Sequence, residues 1–433
     1  MKNLLYIAYT FPPVSTGSAP MNLKVTSLLV GNGWIPTVVT PKHTGGLPVD
    51  ETLLDLLPEE VRVIRKGTVE LGAGVPADGL HSGRKRFTVS GRLRHFILNT
   101  VLQPDRYVAW APMAIWASLR AIREYRSEVI ITLGPPHSVH LAGMVCSALT
   151  GRPWVAYFGD LWANDGIVDW ENEPCARRFW TRVMEKWVVR AADGIVTTTD
   201  GSSRYFTKTY GALCPPVQTL WNGATSEEIA TLWNNKLPPA LDDEMVVTYA
   251  GYLMGNQTPL HFMRGMKLFM ERHPERRIRF RMVGEPGKYK GLPRGLGISG
   301  QVEWIGRVPF TSVREWQNLS HLLLILMPPQ PGNELKNASK TVECLLARRP
   351  ILALSREGDM TSLIRRMNAG YISGHDAEGV CLALETAWDE MSRGVLRVLP
   401  SPDALLGTEM DMEANAAGLV HFLDGLCNRE RTS

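Results

Sequence analysis

Short apolar runs alternate with amphipathic helical segments along this chain, and the pattern runs twice with a polar, proline-bearing stretch between the two runs. In the first half, residues 4–9 read as a strand, 19–30 as a helix and 36–40 as a strand, which makes a β-α-β unit. Further strands are expected at 61–64, 129–133, 154–158, 194–198 and 217–220, with helices between most of them. Strands this short and this apolar need cover on both faces, so the sheet is expected to be parallel with helices on either side. After Asn222 and Gly223 the chain turns polar through Pro238, Pro239 and Asp243. The pattern then restarts with strands at 246–250, 278–283, 302–305, 322–327 and 351–354, and a helix at 259–271.

A length of 433 residues exceeds one ordinary core. The expected organisation is therefore α/β, with Rossmann-like, doubly wound domains at 1–225 and 245–402, a linker at 226–244 and a helical tail at 403–433. Two such domains leave a cleft between them. Met410, Met412 and residues 419–423 give the tail an apolar face that needs a docking surface.

Lys2 and the apolar run after it have the look of a short signal peptide, but Pro12, Pro13 and Gly17-Ser18 follow at once and favour a buried first strand. No apolar run approaches the ~18 residues of a membrane span. A net charge of +4 is too small for a general nucleic-acid binder, so no nucleic-acid partner is expected. Six cysteines without a C-x-x-C pair indicate neither a zinc site nor a disulfide framework, and read as reduced thiols of a cytoplasmic protein.

Three clusters follow predicted strands, where parallel sheets bind ligands, and a fourth follows a Pro/Gly loop and opens a helix. In the first, Gly17 lets backbone approach an anion and Ser18 opens a helix whose amides can face phosphate; an ordinary Gly/Pro turn explains the same residues. No G-x-G-x-x-G is present, which disfavours a dehydrogenase. In the second, His137 lies at the strand end and His140 shares its helical face, a spacing that suits two ligands or two core imidazoles. Metal binding is not expected without a third ligand nearby. In the third, Asp160 can accept from sugar hydroxyls and Trp162 can stack on a sugar ring, although a helix cap would also use Asp160. In the fourth, Ser339 is an expected N-cap, followed by Lys340, Thr341 and Glu343. One turn separates Lys340 from Glu343, so a cation for diphosphate and a carboxylate for ribose hydroxyls can share a site; a surface ion pair between them is the plainer alternative.

These motifs together resemble family 4 glycosyltransferases, retaining enzymes of the GT-B fold, especially bacterial members that build surface polysaccharides or modify natural products. The resemblance rests on Phe11-Pro12-Pro13 with Gly17, Gly134-Pro135-Pro136-His137-Ser138 with His140, and Phe158-Gly159-Asp160-Leu161-Trp162 in the first half. In the second half it rests on Asn222-Gly223, Tyr249-Ala250-Gly251, Gly306-Arg307-Val308-Pro309 and Ser339-Lys340-Thr341-Val342-Glu343. It implies an acceptor-binding first domain, a second domain that binds a nucleotide diphosphate sugar, and a last helix that crosses back to the first domain.

By the same resemblance Gly251, Gly306, Arg307 and Val308 belong to the donor site, with 306–309 near the base, Lys340 near the diphosphate and Glu343 on the ribose. Asp160, His137 and Lys340 are the expected catalytic residues, with His140 and Trp162 toward the acceptor. No metal or other cofactor is implied, because cationic side chains and helix amides neutralise the diphosphate. Two departures stand out. The family's donor-phosphate Arg and Lys have no counterpart in Tyr252-Leu253-Met254-Gly255-Asn256-Gln257-Thr258, and its earlier glutamate falls on Leu335, with Glu334 adjacent.

Two other functions share this fold: a nucleotide-sugar 2-epimerase, which needs no acceptor, and a non-catalytic partner protein, a reading motivated by the missing basic pair. The acceptor is expected to be a saccharide or a lipid-linked hydroxyl. Arg84-Lys85-Arg86, Arg92, Arg94 and Arg106 interleave with Phe87, Leu93, Phe96, Ile97 and Leu98, so residues 84–106 can rest on an anionic membrane at the inner face of the plasma membrane or form a solvated helix face.

Overall fold

A computed structural model of the chain describes residues 1–15, 18–42, 47–67, 104–105, 107–166, 168, 170–241, 243–253 and 255–430. Two compact units emerge: Met1–Asp165, Trp170–Trp221 and Met412–Ser433 make the first, and Gly166–Asp169 and Asn222–Asp411 the second.

The first unit is built on seven parallel strands: β1 (Lys2–Ala8), β2 (Trp34–Pro41), β3 (Arg62–Lys66), β4 (Val129–Gly134), β5 (Trp154–Phe158), β6 (Gly194–Thr197) and β7 (Val217–Thr219), in the order β3-β2-β1-β4-β5-β6-β7. The apolar N-terminal run is the middle of this sheet, with Leu4, Leu5, Tyr6, Ile7 and Ala8 wholly buried. Continuous burial of this kind is what a strand covered on both faces requires.

The terminal helix Met412–Glu430 belongs to the same unit, where Met412, Leu419, Leu423 and Leu426 enter the core beside Leu4, Tyr6 and Val196. Each such side chain contributes about 1.5–3 kcal/mol when fully buried. Gly194 opens β6 as glycine because a Cβ there would meet the Phe422 ring at 2.6 Å.

The second unit has six parallel strands: β8 (Glu244–Ala250), β9 (Arg277–Val283), β10 (Val302–Gly306), β11 (Leu322–Leu326), β12 (Ile351–Leu354) and β13 (Gly370–Ser373), in the order β10-β9-β8-β11-β12-β13. Its core joins Met245, Val247 and Tyr249 of β8 to Phe262, Met266 and Phe269 of the helix Leu260–Arg272.

Three features differ from the sequence reading. The stretch 226–244 is not all linker: Ser226–Leu232 is a helix with a capping box, Thr225 accepting from the Glu228 N–H and Glu228 from the Thr225 N–H. The chain passes between units after Trp221 and again after Asp411, so 403–411 stay with the second unit and the tail helix starts at Met412. Strand β13 went unpredicted, since its four residues Gly-Tyr-Ile-Ser carry no periodic signal.

Candidate functional site

Each sheet reverses its strand order once, between β1 and β4 in the first unit and between β8 and β11 in the second. In parallel α/β sheets ligands bind beside such reversals, at the carboxyl ends of the strands. The predicted site residues that are described lie at the ends of strands or in the loops and helix starts that follow them, in one unit or the other.

In the first unit, the loop after β1 is tied down by polar side chains. The Tyr6 hydroxyl donates to Asn22 Oδ1 at 2.7 Å, and Asn22 Nδ2 donates to the Thr10 carbonyl at 2.6 Å. The Ser18 hydroxyl is engaged with that of Thr10 at 2.6 Å rather than capping its helix. Gly17 lies outside the described residues, as do residues 84–103 and Arg106 of the basic stretch.

The helix Ser138–Thr150 has no local side-chain cap, and its orphan N–H groups are met from a distance. Asp105 accepts from the Ser138 N–H at 2.9 Å and from the Tyr107 N–H at 3.0 Å, with the His137 N–H a further donor. Burial raises the Asp105 carboxyl above its usual range, and these donors oppose the rise.

Glu185 treats the loop after β5 in the same way. From inside the helix Cys175–Ala191 it accepts the Ala163 N–H at 2.7 Å and the Tyr205 hydroxyl at 3.1 Å, with Tyr210 and the Trp162 N–H as further donors. Its side chain is wholly buried, and burial outweighs those donors to raise its carboxyl as well. Sequence reasoning missed both roles, because the partners lie 33 and 22 residues away and leave no local pattern.

His137, His140, Phe158 and Trp162 pack as one aromatic cluster. His137 stacks on Trp162 at 4.8 Å between centroids and 11° between planes, and His140 lies 4.6 Å from Phe158. One expectation needs correction here. His140 is wholly buried: Thr132 Oγ1 accepts from Trp154 Nε1 at 2.9 Å and sits 2.8 Å from His140 Nδ1. Burial, then the neighbouring His137, holds the His140 pKa well below the usual value, so it is a neutral prop behind His137 and not an acceptor contact. Trp162 and His137 are both nearly enclosed, and each spends one ring face on the other, so what either offers an acceptor is its remaining edge.

Asp160 remains half-buried at the end of β5. The Gly159 N–H donates to the Gly134 carbonyl at 2.7 Å, which brings the Asp160 and His137 loops to one sheet edge.

In the second unit Lys340 is the first residue of the helix Lys340–Leu346. Its ammonium stands 4.0 Å above the Tyr249 ring and lies across Gly251, where a Cβ would fall 2.2 Å from Nζ. Gly251 also has a φ of +129°, a conformation that favours glycine. Among the described residues no carboxylate forms an ion pair with Lys340, and the Lys340–Glu343 pair does not form. Glu343 is half-buried, its carbonyl near Arg314, and burial foremost, with the Glu343 charge, pushes the Cys344 thiol up to about 12.

Ser339 takes the expected N-cap position, although it is exposed and its hydroxyl makes no capping bond. The Thr341 hydroxyl and both polar atoms of the Asn337 amide are buried without a hydrogen-bond partner. Glu334 is occupied locally: it accepts the Gly332 N–H at 2.9 Å and faces Arg356 at 3.7 Å. At the end of β10, Gly306 has a φ of +79° and leads to exposed Arg307 and half-buried Val308. The Arg307 guanidinium lies 5.6 Å over the Tyr252 ring, so the loops after β8 and β10 meet. Among the described residues no three His, Cys, Asp or Glu side chains gather closely enough to hold a metal. No described helix is long and apolar enough to cross a membrane.

Residues 16–223 match the family model of the glycosyl transferase 4-like domain, somewhat under half of the chain. No curated protein matches the sequence. In fold the chain is similar to sucrose-phosphate synthase from Thermosynechococcus elongatus, at 14% identity over 98% of this chain and 99% of that one, with a TM-score of 0.68. It is similar to Anabaena HepE, solved in complex with UDP, at 14% identity over 98% and 100% of the two chains and a TM-score of 0.63. Trehalose 6-phosphate synthase from Burkholderia multivorans gives 11% identity over 100% and 98%, with a TM-score of 0.63. The fold is GT-B.

Proposed function

From a GT-B chain whose residues 16–223 match a glycosyl transferase 4-like domain, we propose a glycosyltransferase that moves a sugar from a nucleotide diphosphate sugar to a hydroxyl acceptor with retention. The observation that carries the reading is Lys340. A cation without a carboxylate partner, beside a strand-order reversal and next to buried hydroxyl and amide groups that lack partners, is suited to an anion with several oxygens.

As the bond between the anomeric carbon and the diphosphate oxygen breaks, its electron pair goes to the diphosphate. Lys340 stabilises the growing charge, with Ser339 and Thr341 as hydroxyl donors. Glu343 accepts from the ribose hydroxyls, and Gly251 and the 306–308 turn, with Arg307, hold the remainder of the nucleotide. The acceptor oxygen bonds to the anomeric carbon on the face the diphosphate leaves, and its proton passes to a leaving-group oxygen. His137 and Asp160 serve the acceptor.

Lys340 supplies the charge a metal would otherwise bring, so the reaction is proposed to be metal-independent. The acceptor is proposed to be a saccharide or lipid-linked hydroxyl in bacterial polysaccharide or glycoconjugate synthesis, handled in the cytoplasm at the membrane's inner face.

Lys340→Ala is expected to lower turnover of the nucleotide sugar by roughly 10²–10³, the size of one lost contact to a developing anion. Folding should hold, since no ion pair is broken. Unchanged turnover would remove Lys340 from the mechanism. Isomerised nucleotide sugar formed without any acceptor would mark a 2-epimerase, and nucleotide binding with neither product would mark a non-catalytic protein.

A further inference from the structure

The helix Cys175–Ala191 buries Thr181, Met184, Glu185, Val188 and Val189 against the first unit. Its outer face breaks the usual rule for a soluble surface. Phe179, Trp180 and Trp187 are 60%, 43% and 51% exposed, and the Phe179 and Trp180 rings pack edge to face at 5.5 Å. At 3.6 residues per turn, Trp180 and Trp187 fall on one line, with Phe179 beside them. Single exposed apolar residues are ordinary, but three large aromatics along one helix face form a patch.

Arg182, Lys186 and Arg190 are exposed on the same helix, and none has an ion pair among the described residues. The helix holds one acid, Glu185, which is wholly buried and turned to the loop after β5. Just outside the helix, Glu173 pairs with Arg177 at 2.8 Å and Asp193 accepts the Trp154 N–H at 2.8 Å. The outer face therefore presents aromatic rings and positive charge with no acid of its own.

We propose that this helix docks the protein on an anionic lipid surface. Trp favours the headgroup level of a bilayer, where the ring is buried and the indole N–H stays wet, and Phe serves on the apolar face of interfacial helices. Lys and Arg lie beside them with their stems along the apolar region and their charges at the lipid phosphates. A protein interface would also take aromatic rings and arginine, so the vesicle assay sets lipid docking against self-association. The helix lies outside residues 84–106, and the inference stands on its own surface chemistry, so it can fail while the transferase reading holds.

The test is cosedimentation of the full chain with vesicles of equal parts phosphatidylglycerol and phosphatidylcholine, and with phosphatidylcholine alone. Wild type is expected to bind the first and not the second, with binding that weakens in high salt. R182A/K186A/R190A together should weaken binding roughly a hundredfold, since each cation near an anionic surface carries about a fivefold share. F179S/W180S/W187S should lose binding as well, while both variants keep the wild-type unfolding midpoint. No binding by wild type, or loss only when Arg84, Lys85, Arg86, Arg92 and Arg94 are replaced, overturns the proposal. So does a self-associated wild type that F179S/W180S/W187S converts to monomer without change in vesicle binding.

Discussion

The strand-end loops of the two units solve opposite problems. In the first unit, Asp105 and Glu185 hold the loops after β4 and β5 by accepting backbone N–H groups, so negative charge is used up inside the protein. In the second, Lys340 has no carboxylate partner, and Gln330, Asn333, Asn337 and Thr341 each keep a buried polar atom without a hydrogen bond within one stretch of loop and helix. Elsewhere such atoms stand on separate elements: Thr37, Trp110, Ser127 and Tyr157 in the first unit, with His140 in the aromatic cluster, and Asn256, Arg281 and Arg349 in the second. Buried polar atoms without partners are costly, and a ligand that supplied the missing bonds would remove that cost. On the function proposed above, one region is finished by folding and the other by binding.

The largest expected effect attacks the first half of that contrast. Glu185→Ala strips the acceptor from the Ala163 and Trp162 N–H groups and from Tyr205 and Tyr210, and is expected to lower unfolding free energy by about 3 kcal/mol or more. Urea titration reads this directly. A loss under about 1 kcal/mol would mean that the loop is held by something other than this carboxylate.

A smaller effect belongs to the second unit. Gly251→Ala places a side chain at positive φ and against the Lys340 ammonium, which can swing aside. The expected cost is about 1–2 kcal/mol of stability from the backbone alone. The sharper consequence is a weakened response to nucleoside diphosphate in calorimetry; a variant that binds as wild type would show that the position of Lys340 over Gly251 is incidental.

Much of this fold could be read before any coordinates. Strands such as Trp154–Phe158 and Ile351–Leu354 are apolar runs bounded by Gly, Pro or charge, and burial on both faces makes such runs conspicuous. The helix Ser226–Leu232 carries a capping box at Thr225 and Glu228 but lacks the apolar stripe on which periodicity depends, so its sequence reads as linker.

The site was legible as places more than as contacts. Spacing put His137 and Asp160 at strand ends and Lys340 at a helix start, with Gly251 added by the family resemblance. It could not show that His140 and Trp162 turn inward, since His140 has His137, Phe158 and Thr132 around it only after the strands pair. Nor could it single out Asp105 or Glu185, whose meaning lies in distant backbone N–H groups.

The central claim is that the strand ends of the second unit take a nucleoside diphosphate through Lys340. It is tested most directly by thermal unfolding of wild type and Lys340→Ala with UDP, GDP, ADP, CMP and dTDP. One nucleoside diphosphate at a hundred times its dissociation constant should add about 2.7 kcal/mol to wild type and markedly less to the variant. Wild type unmoved by all five at millimolar concentration, or a variant stabilised as fully as wild type, would contradict the account.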